Sequence, residues 1–351
     1  MLKLFIPVGI ILTASLAILS SISTELFLLQ LSWIGLGALL LGVFYFLDWG
    51  AILSYRWAIV ALYVFSIGLL VFVYLQGPII RNAASWIIVG PFSFQPIELM
   101  KIALILLYAN YFSRRHISIG RWKYVTGSFI YFIIPAILVA LQPNLGSAVI
   151  LFGLWYGTLL VSGLPLKRVA ASLAIFLVAG ALLWNFGLQD YQRRRIEGFL
   201  YPNRDTLGIN YNAIQSRIAL GSGGFWGKGY KQGSQTQLGF LSVPESDFAF
   251  AAFAEEWGFF GVLVVLTAFG FLIFYILGIA AGAERNFEKY ICLGVAIMFT
   301  TQMFINSASV TGLFPVIGVP FPFLSYGGSG LLMNFVALSL VDFVRRRNRG
   351  S

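Results

Sequence analysis

Residues 248–279 read FAFAAFAEEWGFFGVLVVLTAFGFLIFYILGI, an apolar run well beyond the roughly 20 residues that cross a bilayer as a helix. Comparable runs recur at 4–20, 27–46, 57–76, 98–112, 125–141, 145–163, 169–187, 290–308 and 328–343. Their number predicts an all-α polytopic membrane protein of about ten transmembrane helices. Composition agrees: 59% of the 351 residues are hydrophobic and 10% are charged, with a mean hydropathy of +0.87. A soluble domain does not have this balance.

The first run follows Lys3 without a small-x-small cleavage site, and a second run follows at once, so it reads as a retained helix. No linker or internal repeat divides the chain, which is expected to be one integral domain over 1–351. A net charge of +10 could suggest nucleic acid, but in a membrane protein the placement of Lys and Arg carries the information. Ten spans from a cytoplasmic N-terminus put Lys3, Arg56, Arg114, Arg115, Arg121, Lys123, Lys167, Arg168, Arg285, Lys289 and the 345–349 tail inside, with Arg81 outside. Both termini are therefore expected in the cytoplasm, with no nucleic-acid partner. Cys292 lies in an apolar run and excludes a disulfide framework; His116, the sole histidine, excludes a multi-histidine metal centre.

Two stretches break the apolar pattern. The first, 188–247, is a large loop between spans seven and eight, placed outside. Its Tyr211–Leu220 portion has Ile214 and Ile218 one turn apart, predicting a short helix stopped by Gly221. The glycines from 221 to 229 predict turns whose backbone can approach a phosphate or sugar closely. The second, 311–328, holds three prolines and four glycines. Irregular backbone at membrane depth survives only beside protein or a wet cavity, so this segment is expected to face an outward cavity.

Charges inside spans need a partner or a purpose. Glu98 and Lys101 fall on one helix face after Pro96, either as a local ion pair or as site residues. On a helix starting near Asp247, residues 247, 251, 254 and 255 share a face, which would put Asp247 at the mouth and Glu255 two turns deeper. Asp247 can serve as a helix cap, as a general base, or as the ligand of a divalent cation such as magnesium or manganese. Glu255 and Glu256, about 100° apart, cannot both face one site. Arg193, Arg194, Arg195, Arg204, Arg217, Lys228 and Lys231 form either a solvated face or a cradle for diphosphate, with Asp190, Glu197, Asp205 and Glu245 mixed among them.

Four segments in this order, Gly90–Lys101, Gln142–Ala148, Gln215–Gly229 and Pro320–Ser329, resemble the SEDS family of RodA- and FtsW-like proteins, closer to RodA. The resemblance implies a peptidoglycan glycosyltransferase of the bacterial cytoplasmic membrane. Such an enzyme polymerises lipid II into β-1,4 glycan on the outer face and releases undecaprenyl diphosphate, in partnership with a class B penicillin-binding protein. It maps the family's loop aspartate onto Asp247 as catalytic residue, and its Glu and Lys onto Glu98 and Lys101. Arg217, Lys228, Glu255, Ser325 and Tyr326 are counted as substrate-binding or supporting. Glu245 and Ser246 replace a family histidine and threonine, and Asn144 an aspartate. A lipid II flippase, or a non-catalytic membrane scaffold for a transpeptidase, is the rival reading.

Overall fold

The computed structural model describes residues 2–350 apart from 48, 81–82, 91, 115–121, 187–189, 202–203, 205–207 and 209. Arg81, Arg115, His116, Arg121 and Asp205, all used in the sequence reading, lie outside the described residues.

Each apolar run is a helix: α1 (Leu2–Ile22), α2 (Thr24–Phe46), α4 (Arg56–Gln76), α5 (Pro96–Ser113), α6 (Trp122–Leu141), α7 (Leu145–Val161), α8 (Leu166–Phe186), α12 (Ala249–Ala281), α13 (Asn286–Thr311) and α14 (Gly328–Gly350). Among the described residues, α1, α2, α4, α6, α12, α13 and α14 are long and apolar enough to cross a membrane, and α7 is a shorter apolar helix. Short helices α3 (Trp49–Ser54), α9 (Asp190–Leu200), α10 (Tyr211–Ser222) and α11 (Ser234–Gln237) fill the connections. Sequence reasoning had no helix at α9, and α10 runs through Gly221 instead of ending there. It also had no strands, yet Ile79–Ile80 pairs with Ala83–Ala84, and Ile87–Val89 with Phe92–Phe94, as two antiparallel hairpins leading into α5.

α5 and α13 form the centre. Met100, Ala103, Leu104, Ile105, Tyr108 and Phe112 of α5 are all buried, and Ile105 packs over Gly294 of α13. Gly153 and Gly157 of α7 lie against Thr301 and Ile297 of α13. That is a small-xxx-small seam, which lets two membrane helices approach closely where apolar side chains gain nothing by leaving lipid. At the other end of α14 the arginine run is helical and paired rather than a loose tail: Arg345 meets Asp342 at 2.6 Å, and Arg347 meets Glu288 of α13 at 3.2 Å.

The largest departure from expectation is inside α12. Gly258 has φ 64° and ψ −169°, a conformation essentially confined to glycine. Phe250 and Phe269 both lie 5.5 Å, ring to ring, from Phe321, although they would stand about 28 Å apart along a continuous helix. Residues 249–257 therefore fold back along 259–281. Gly261 permits the close approach, since a Cβ there would lie 3.3 Å from the Phe253 ring. The long leg, 259–281, has no charged residue and at roughly 34 Å matches the hydrocarbon thickness of about 30 Å. The short leg cannot cross.

The glycine-rich turn after α10 seats the fold-back. Lys228 and Gly229 donate their N–H groups to the carbonyls of Glu255 and Glu256, each at 3.0 Å. In return Phe259 and Phe260 donate to the carbonyls of Gly224 and Phe225, at 2.9 and 3.0 Å. The groups freed by the break at Gly258 thus find partners, as burial demands. Gly223 and Gly227 make their close approach to α12 backbone. A Cβ at Gly227 (φ +84°) would overlap the Glu256 carbonyl, whereas one at Gly224 (φ +55°) meets nothing within 4 Å. Gly224→Ala is expected to cost about 1–3 kcal/mol from φ alone, and Gly227→Ala distinctly more, read as thermal unfolding midpoints in detergent. Equal losses would mean the turn does not bear on α12.

Candidate functional site

Asp247 precedes the short leg of α12, whose cap position is Phe248. Its backbone runs through a strained turn at Val243, φ +53°, a costly conformation for a β-branched residue. Three contacts hold this segment. Asn306 of α13 donates through Nδ2 to the Asp247 carbonyl at 2.9 Å and to the Val319 carbonyl at 2.7 Å. Ser325 Oγ donates to the Ser246 carbonyl at 2.6 Å while accepting the Phe321 N–H at 2.9 Å. Tyr326 N–H donates to the Glu245 carbonyl at 2.8 Å.

The 312–327 segment is thus the second wall of the Asp247 site, and it too carries strain, at Phe323 with φ +65°. A Cβ on Gly318 would sit 3.4 Å from Asp247 Oδ2. On its far side the segment rests on α7: Gly146 faces the carbonyls of Ile317 and Gly318. Asn144 caps that helix by accepting the Ser147 N–H at 3.2 Å and donates to Ser85 Oγ at 3.4 Å, a donation that an ionised aspartate could not make.

Asn306 lies five residues before the end of α13 at Thr311, roughly 7.5 Å back along the helix. Asp247, whose carbonyl it bonds, lies at that level of α13. The sequence expectation of Asp247 at the mouth and Glu255 two turns deeper is inverted by the fold-back.

Glu255 belongs to a separate locus beside the helix break. Fully buried, it accepts from Lys228 Nζ at 2.8 Å, Gln235 N at 2.8 Å, Thr236 N at 3.0 Å and Thr236 Oγ1 at 2.9 Å. Glu255 thereby caps α11, and the charge of Lys228 is met by this carboxylate. Glu256 turns the other way, to Ser21 of α1 and Gln237 of α11. The expectation that the two carboxylates face different ways holds.

Glu98 and Lys101 form an ion pair at 2.7 Å, with side chains 8% and 2% exposed. A Cβ on Gly330, in the first turn of α14, would lie 3.6 Å from Glu98 Oε2, so the carboxylate sits where the helix dipole favours negative charge. Trp33 of α2 packs over Gly328 and hydrogen-bonds the Tyr326 hydroxyl. The pair therefore lies one short step along the chain from Tyr326. Arg217 is exposed on α10; its Nε donates to the Ala213 carbonyl at 3.3 Å, and its side chain crosses Gly312 at the end of α13. A cavity of about 300 Å³ lined by Phe5, Leu41, Tyr45, Asp342 and Arg346 is at the opposite end of α14 and takes no part.

Asp247, Ser325 and Tyr326 are thus brought together, with Glu98 and Lys101 adjoining, while Glu255 and Lys228 stand apart. Asn306 was missed by sequence reasoning, although buried amides such as Gln302 and Asn306 in an apolar run are a signal by themselves. Asn306→Ala leaves two buried carbonyls without their donor, a cost of about 1–3 kcal/mol. It is also expected to lower turnover on the order of 10²-fold by letting Asp247 drift. Single-turnover rates on a protein of intact fold check this; unchanged rates would remove Asn306 from the site.

The profile of the FtsW/RodA/SpoVE family, described as cell cycle protein, matches residues 1–350. The chain is 38% identical over 282 residues to "Peptidoglycan glycosyltransferase MrdB" of Escherichia coli (strain K12), covering 80% of this chain and 75% of that one. It is 34% identical over 336 residues to "Probable peptidoglycan glycosyltransferase FtsW" of Tolumonas auensis, covering 92% and 82%. Among solved structures, one reported as "Structural coordination of polymerization and crosslinking by a peptidoglycan synthase complex" superposes with a TM-score of 0.85 at 29% identity over 99% of this chain and 98% of that one. Rod shape determining protein RodA of Thermus thermophilus gives 0.74 at 28% over 99% and 97%.

Proposed function

From the FtsW/RodA/SpoVE cell cycle protein family, to which this chain belongs, we infer its activity: it is a peptidoglycan glycosyltransferase, and its substrate is lipid II. The 4-hydroxyl of one lipid-linked sugar attacks the anomeric carbon of another, the bond to diphosphate breaks, and an α-linked donor becomes a β-1,4 link by one in-line displacement. Asp247 takes the hydroxyl proton as general base. Arg217, exposed on α10, answers the charge that develops on the departing diphosphate, whereas Lys101, buried against Glu98, and Lys228, held by Glu255, support the fold around the site. Ser325, Tyr326 and Asn306 fix the backbone on which Asp247 sits.

A divalent cation, magnesium or manganese, fits this chemistry in one form. Among the described residues no group of three or more His, Cys, Asp or Glu side chains gathers. In that form, as the alternative to acting as base, Asp247 would hold the ion with help from the diphosphate, in the way usual for magnesium, and the ion would supply charge at the leaving group.

The observation that carries this reading is the seating of Asp247 against α13, between Asn306 and Gly318, about one to two turns in from the end of that helix. A polyprenyl tail costs roughly 0.8 kcal/mol for each methylene drawn into water, so a carboxylate below the membrane surface can meet the diphosphate while the tail stays in lipid. The site should accordingly open sideways to the bilayer between the outer loop and the 312–327 segment. Charge placement supports cytoplasmic termini and an outward site, and we assign the partner as a class B penicillin-binding protein. Purified protein incubated with lipid II, with products resolved on a gel, tests the activity: glycan polymer is expected, and its absence with and without the transpeptidase would overturn the assignment.

A further inference from the structure

We propose that the tip of the outer loop, Phe225 and Trp226, is a membrane-binding wedge seated among the lipids of the outer leaflet. The two rings are 55% and 74% exposed and packed edge to face at 4.9 Å. They do not stand free: Phe225 lies 5.9 Å from Phe259, and Trp226 lies 5.5 Å from Phe260. Phe259 and Phe260 open the long leg of α12, and the same leg goes on to expose Leu263, Phe271 and Phe274. Because this leg matches the hydrocarbon in length and lacks charge, its outward rings face acyl chains, and its first residues fall at the outer boundary. The tip continues that surface without a gap. Aromatic side chains favour this level, where an apolar body and a polar edge are both accommodated.

The tip is also fixed in height. The bonds from Phe259 and Phe260 to the carbonyls of Gly224 and Phe225 tie it to the helix, so it cannot withdraw into water while the fold-back is intact. Behind it Tyr230, half exposed, donates to Ser20 Oγ at the outer end of α1 at 3.1 Å, and the exposed Lys231 ammonium lies 5.5 Å from the Tyr230 ring. A cation just outside an aromatic wedge suits phosphate headgroups. Lipid is therefore the occupant that the continuity of this face selects.

The test uses full-length protein in nanodiscs of phosphatidylglycerol and phosphatidylethanolamine. Cys292, buried and the sole cysteine, is replaced by Ala, and nitroxide labels are placed by Trp226→Cys or Phe225→Cys. References are Phe274→Cys on the long leg and Glu197→Cys on α9. Collisions with oxygen should exceed those with a water-soluble nickel chelate at both tip positions, as at Phe274. Nickel collisions as frequent as at Glu197 would put the tip in water, and shielding from both reagents would mean that another protein surface covers it; either overturns the proposal. Should the labelled variants misfold, brominated lipids should quench the unlabelled protein more than Trp226→Phe, and equal quenching again overturns it. Neither readout depends on glycan synthesis.

Discussion

Asp247→Asn is expected to lower polymerisation by about 10²–10⁴-fold, the usual contribution of a positioned general base, while the thermal midpoint stays level or rises. A carboxylate packed against Gly318, with its carbonyl held by Asn306 part-way along a helix of spanning length, is costly to the fold, and removing such a charge commonly relieves a destabilised site. Activity and stability should therefore move apart. Near-normal glycan from a well-folded Asp247→Asn protein would falsify the catalytic role. Intact activity loss with a collapsed midpoint would instead mean that the carboxylate is structural.

Glu98→Ala is expected to cost about 3–5 kcal/mol, because it strands the Lys101 ammonium in a buried place. At 2.7 Å and almost without exposure, the pair has no solvent to replace a missing partner. Glu98→Ala combined with Lys101→Met should recover much of that loss, since two apolar side chains in place of a buried pair are often tolerated. The measurement is a double-mutant cycle on unfolding in detergent. If the losses simply add, the two charges act independently. Activity in the double variant then shows whether the pair serves only the fold: a protein that folds but does not polymerise means that the pair also supports the site.

The ten helices were legible because hydrophobic run length is set by bilayer thickness, and the ion pair because three residues bring side chains onto one helix face. The site's main feature was not. The run 248–279 looks continuous, since both legs of the fold-back are apolar, and the residue that seats the break, Gly227, is remote in sequence from Gly258. A signal was present in the Glu255–Glu256 doublet, which stands just where an uncharged stretch of spanning length begins. Taking that boundary seriously would have put the end of a membrane leg at Gly258 and left residues 249–257 to be explained. The short strands at 79–94 escaped because pairs of two or three residues leave no periodic trace. Asn306 escaped because attention went to charges, although an amide that bridges two backbone carbonyls organises the same site.

The fold-back also sets an order of events during biosynthesis. As the chain emerges, the insertion machinery can recognise 259–281 as a span, but the nine residues before it are too short to cross and carry Glu255 and Glu256. Such a segment is stable at membrane depth only once protein surrounds it. The groups that receive it, Asn306, Gly318 and Ser325, are all made later. Asp247 must therefore wait near the surface until α13 and the 312–327 segment have been synthesised, and then dock. A chain stalled before residue 320 has most of its helices yet lacks the second wall of the site, so a nascent polymerase remains inert until the 312–327 segment has been made and docked.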